Sequence, residues 1–75
     1  MRIIEAIVSD PRQGPAPDRM EAEVVLTFEP RFGAPPETRI LLTSAPADDP
    51  KGRELRILLV ADAVRRAREP MAAAA

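Results

Sequence analysis

The sequence predicts an α+β fold, a three-stranded antiparallel meander packed on one C-terminal helix in the order β-β-β-α. Three observations carry that reading. Three segments alternate apolar and polar residues with period two. Proline-rich connectors separate the apolar segments, and proline supplies neither a helix interior nor a ladder donor. A fourth segment follows Asp49-Pro50 and repeats its apolar residues at helical spacing.

The first segment is Arg2 to Ser9. Ile4, Ala6 and Val8 share one face, and Ile3, Glu5, Ile7 and Ser9 the other, so it reads as a strand rich in β-branched residues. The connector Asp10 to Arg19 holds Pro11, Gly14, Pro15 and Pro17 and reads as loop. Glu21 to Glu29 is the cleanest strand. Ala22, Val24, Leu26 and Phe28 point one way, while Glu21, Glu23, Val25, Thr27 and Glu29 point the other. Pro30 ends it, and Arg31 to Pro36 is a second loop.

Thr38 to Ser44 is the third strand, with Ile40 and Leu42 assigned to the core face and Arg39, Leu41 and Thr43 to the outer face. The fourth segment runs from Gly52 to Glu69. Asp49 reads as an N-cap and Pro50 as the first helical residue. Ile57, Val60, Ala61, Val64 and Ala67 form one stripe. Arg65, Arg66 and Arg68 crowd the last turn, where cations suit the helix dipole. Short apolar runs are ambiguous, so the alternative is a four-stranded meander in which residues 54–61 are a strand, with a short C-terminal helix over 62–69.

The expected core is Ile4, Ala6, Val8, Val24, Leu26, Phe28, Ile40 and Leu42 against Ile57, Val60, Ala61 and Val64. Sequential strands usually lie side by side, so the expected order is 1-2-3. Residues 1–70 are read as one small α+β domain and residues 71–75 as a disordered Ala-rich tail.

Composition narrows the function. The 75 residues contain no His, Cys, Tyr or Trp and a single lysine, Lys51. Those residue types supply most neutral-pH bases, nucleophiles, soft metal ligands and stacking platforms. Ser9 and Ser44 lie at strand ends with no base placed beside them. Glu21 and Glu23 share a strand face, but a hard cation needs about six oxygens and no loop supplies them. The expectation is a non-enzyme with no cofactor and no metal site.

No apolar run approaches the roughly 20 residues of a membrane span, and the start does not resemble a secretory signal, so the protein reads as cytoplasmic. The excess of Arg over Lys, with many Ala and Pro, reads as a bacterial-like coding bias. Net charge is −1, but it is unevenly spread: residues 53–68 carry five arginines against Glu54 and Asp62, on an acidic remainder.

A chain of this size buries roughly 60–65% of its unfolded surface, so self-association is a natural way to bury more. The meander leaves Leu55, Leu58 and Leu59 on the helix, and Ile3, Ile7, Val25 and Leu41 on the sheet, facing away from the core. The expected function is therefore a protein-interaction module or accessory subunit. Its partner would be protein, first of all a second copy in a dimer, meeting at those residues. The alternative is nucleic-acid contact by Arg56, Arg65, Arg66 and Arg68.

Overall fold

The computed structural model describes residues 1–69. The tail expected at 71–75 lies outside the described residues. The fold is α+β, an antiparallel sheet followed by one helix. The strands are β1 (Arg2–Val8), β2 (Arg12–Gln13), β3 (Arg19–Glu29) and β4 (Glu37–Pro46), and the helix is α1 (Leu55–Arg68). β3 is central. It pairs with β1 and β2 on one side and with β4 on the other, so the three main strands follow chain order.

β3 forms because its alternation satisfies both faces at once. Ala22, Val24, Leu26 and Phe28 are buried, and the odd-numbered residues face away from the helix. Arg39 on β4 stands over the Phe28 ring, 5.5 Å from its centroid, and closes that end of the core. The connector read as pure loop contains the short strand β2, which extends the β1 side of the sheet past Pro11 and pairs with Met20 and Glu21.

The expected core needs three corrections. On β4 the buried phase is Thr43 and Ala45, with Leu41 half-buried against the core. Ile40 and Leu42 are exposed instead, at 67% and 54%. Both phases of this strand are apolar, and the helix lies chiefly over β4 and β3. Small side chains let the helix approach closely, so the face holding Thr43 and Ala45 wins over the larger one. Thr43 is fully buried, and its hydroxyl donates to the Ala22 carbonyl at 2.7 Å, so burial leaves it no unmet polar atom.

On β1, a bulge between Ile3 and Glu5 shifts the alternation. Ile3 pairs with Phe28 and so falls on the helix side of the sheet, while Ile4 is exposed and not core. Ala6 and Val8 pack against the core as expected.

The helix is one unbroken element, not a strand followed by a short helix. Its phase differs from the expected stripe. Leu59, Ala63 and Ala67 are buried at i, i+4 and i+8, with Leu55 and Leu58 packed beside them. Val64 flanks this cluster, Val60 is half-buried, and Ile57 and Ala61 are exposed. Leu55, Leu58 and Leu59 therefore face the sheet rather than away from it.

The helix also starts later than its cap signal suggested. Glu54 is the N-cap and makes no side-chain capping bond. Asp49 instead closes a turn, Asp49-Pro50-Lys51-Gly52, in which Gly52 N–H donates to Asp49 O at 2.9 Å. Gly52 has φ +68°, a conformation that costs glycine nothing.

Candidate interaction surface

The helix covers one face of the sheet and leaves the other open. The register aligns side chains across that open face into rows. Glu5, Thr27 and Thr38 make one row, and the two threonine hydroxyls are 3.1 Å apart. Ile7, Val25 and Ile40 make the next. Glu23 and Leu42 make the third, and Glu21 and Ser44 the fourth. The centre of the face is thus an apolar line across three strands, widened by Leu42 and bordered by carboxylates and hydroxyls. Ile7 is 53% exposed, and Val25 is half-buried between its neighbours.

Of the seven residues expected at an interface, Ile7 and Val25 lie on this open face. Ile3 and Leu41 are on the helix side, and Leu55, Leu58 and Leu59 belong to the core or its margin. Ile40 and Leu42 join the face instead, because the β4 phase is reversed. Phe32, outside every expected site, is fully exposed on the β3–β4 loop. Its signal was a large aromatic inside a proline- and glycine-rich turn. Ala34 N–H donates to Arg31 O at 3.1 Å, and Gly33 at φ +81° supplies the left-handed residue that this turn needs.

The edge of β4 is the second feature. Ser9 N–H donates to Glu23 O, and Glu23 N–H donates to Ser9 Oγ, both at 2.9 Å. The odd residues of β3 thus turn their main-chain groups towards β1, and the even ones towards β4. Ala22 faces Thr43 by this alternation, so Thr38, Ile40, Leu42 and Ser44 aim their N–H and C=O groups at the outer edge. Among the described residues β4 pairs only with β3. Ser44 N–H is taken: it donates to Asp62 Oδ2 at 2.9 Å.

Asp62 gathers most of the basic helix end. Arg66 Nε donates to its Oδ2 at 2.8 Å, and Arg65 Nη2 to its Oδ1 at 2.6 Å. Arg65 also pairs with Glu69 at 2.7 Å. Partial burial pushes the Asp62 carboxyl up, but Arg66, the Ser44 N–H and Arg65 outweigh it and hold it below the usual carboxylate range. The hydrogen bond to Asp62 raises the Arg65 guanidinium in turn. Two of the four arginines considered for nucleic-acid contact, Arg65 and Arg66, are thereby paired within the chain, and all four remain exposed.

Neither serine is arranged as a nucleophile. Ser9 Oγ accepts from Glu23, and Ser44 Oγ accepts from Arg19 Nε at 3.0 Å. An open hollow of about 460 Å³ lies along the β3–β4 loop, lined mainly by Pro30, Ala34, Pro35 and Pro36 with Arg31 and Glu37. Among the described residues no group of three or more acidic, His or Cys side chains is placed to hold a metal. No helix among them is long and apolar enough to cross a membrane.

The turn before the helix carries one acid-sensitive contact. Asp49 Oδ2 accepts from Arg53 N–H at 2.8 Å and from its Nε at 2.9 Å. The Arg53 side chain first, then its N–H, lowers the Asp49 carboxyl to about 2. A depressed carboxylate stabilises the folded turn above its unfolded pKa of 3.8, and that stabilisation is lost as pH falls through about 2. Acid titration followed by the amide resonance of Arg53 is expected to move in that window. A midpoint near 4 would mean the pair is not formed in solution.

Comparison with known proteins gives no matching family model, no matching curated protein and no matching solved structure.

Proposed function

We propose that this chain is a small, non-catalytic protein-interaction module or accessory subunit that self-associates as a dimer in the cytoplasm. The observation that carries the reading is the in-register apolar line Ile7–Val25–Ile40, with Leu42 beside it, on the sheet face that the helix leaves open. Small soluble proteins rarely leave so continuous an apolar surface unpartnered. The composition supports the same reading, because it lacks His, Cys and Tyr, and with them the cysteines of an exported scaffold. The surface that supports association is the sheet, not the helix leucines.

The test is size exclusion with light scattering and refractive-index detection across a dilution series. A mass of twice 8.2 kDa that holds as salt is raised is the expected result. A mass of 8.2 kDa at every concentration would remove the proposal. The chain has no Tyr or Trp, so a strong band at 260 nm co-eluting with that monomer would point to bound nucleic acid instead.

A further inference from the structure

The open edge of β4 has a definite length. Pro36 precedes the strand and has no N–H to offer. Ser44 N–H is held by Asp62, and Pro46 beyond it again lacks the donor. Between these stops the N–H and C=O groups of Thr38, Ile40 and Leu42 face the outer edge with no strand partner among the described residues, and Ile40 is the midpoint.

We infer that the partner on this edge is a second copy of the chain, paired antiparallel through β4 with the two-fold axis beside Ile40. The inference rests on the self-association proposed above and states its geometry. In this register Ile40 faces the partner's Ile40, and Thr38 faces the partner's Leu42. Each such pair exchanges two N–H···O bonds. Pro36 faces the partner's Ser44, so the two stops fall opposite each other and no open donor is wasted.

Neighbouring registers are worse. Sliding one way sets Arg39 against the partner's Arg39, like charges directly opposed. Sliding the other way sets Thr38 against a Ser44 that is already bonded. The matched stops are what favour this chain itself over an unrelated strand, since they coincide for an antiparallel copy of the same segment.

The open face supports the same register. The Ile7–Val25–Ile40 line meets its own symmetry mate and becomes one apolar line across both sheets. The β1 edge offers no equivalent, because its bulge interrupts the ladder. A contact between the arginine-bearing helix of one copy and the acidic sheet face of the next would be head-to-tail and would not close at two.

The chain has no native cysteine, so single cysteines report the register directly. Residues in a hydrogen-bonded antiparallel pair have Cα atoms about 5.5 Å apart, within the usual disulfide range of about 4.4–6.8 Å. Under mild oxidation Ile40→Cys is expected to become a covalent dimer, and Ile7→Cys to stay single. Thr38→Cys and Leu42→Cys are each expected to stay mostly single, yet to cross-link when mixed.

Ile40→Pro removes an N–H that β3 does not use, so it is expected to halve the mass while circular dichroism keeps the sheet signal. Two results overturn the register and leave self-association standing. One is a dimer by scattering in which Leu42→Cys links alone or Ile40→Cys does not link. The other is a folded Ile40→Pro protein that remains a dimer. A wild-type monomer overturns both the register and the proposed function, and masses growing beyond the dimer favour the head-to-tail contact. If Ile40→Pro does not fold, the cysteine set decides alone.

Discussion

Leu59→Ala is expected to cost about 2–5 kcal/mol, while Ile57→Ala, two positions earlier, costs less than about 0.5 kcal/mol. Leu59 has no exposed surface and sits where the helix meets β3 and β4, whereas Ile57 is 56% exposed. Truncating Leu59 removes buried methyl groups and leaves a cavity between the helix and the sheet. A domain of this length is stable by roughly 4–11 kcal/mol at about 0.05–0.15 kcal/mol per residue. The variant therefore loses a large part of its stability, with a drop in Tm of about 4–8 °C per kcal/mol. Far-ultraviolet circular dichroism is the suitable probe in a chain without tryptophan. The pair of variants fixes the helix phase. If Ile57→Ala were the more damaging, the helix would face the sheet through the stripe that hydrophobicity alone selects.

That stripe misled for a physical reason. The run Ile57 to Ala61 is apolar at every angle around the helix, so the moment of the segment is weak and several stripes compete. Hydrophobicity favours Ile57, Val60 and Val64. Packing selects Leu59, Ala63 and Ala67, because alanines allow the helix to come close to a sheet face that itself carries Ala22, Thr43 and Ala45. β4 repeats the lesson. Ile40 and Leu42 are the larger side chains, and the smaller alternate set is buried.

β3 was legible because only one of its faces is consistently apolar, and its neighbours followed from chain order. The short strand β2 was not legible, because two residues between prolines carry no periodicity. The outward position of Val25 and Ile7 is legible in the alternation, since β3 fixes the phase and Ile7 pairs with Val25 beyond the bulge. The edge stops were visible only in part. Pro36 and Pro46 stand in the sequence, but the use of Asp62 against Ser44 depends on a helix phase that the apolar pattern does not give.

Asp62→Ala is expected to cost about 1.5–3 kcal/mol, the range for hydrogen bonds to a charged group. Its side chain is only 12% exposed and accepts from Ser44 N–H, Arg65 and Arg66 together, so it ties the helix to the strand edge. Asp62→Asn keeps an acceptor for Ser44 and loses the ion pairs, which are worth about 0.2–1 kcal/mol each where solvent reaches them. The order of stability is therefore wild type, then Asn, then Ala. The pH dependence has a fixed sign. The folded carboxyl is held low, so its contribution is full above the ordinary carboxylate range and fades as pH falls through the depressed value. Both variants should flatten the acid limb of the stability curve. They should differ at the edge. Alanine frees the Ser44 N–H, removes one stop and lets the paired strands slide to set Thr38 against the partner's Ser44, so that Leu42→Cys begins to cross-link with Ile40→Cys when the two are mixed. Asparagine leaves the stop in place and the two-fold at Ile40. A common response of both variants would assign Asp62 to helix charge alone, whereas a split response ties the strand register to one hydrogen bond.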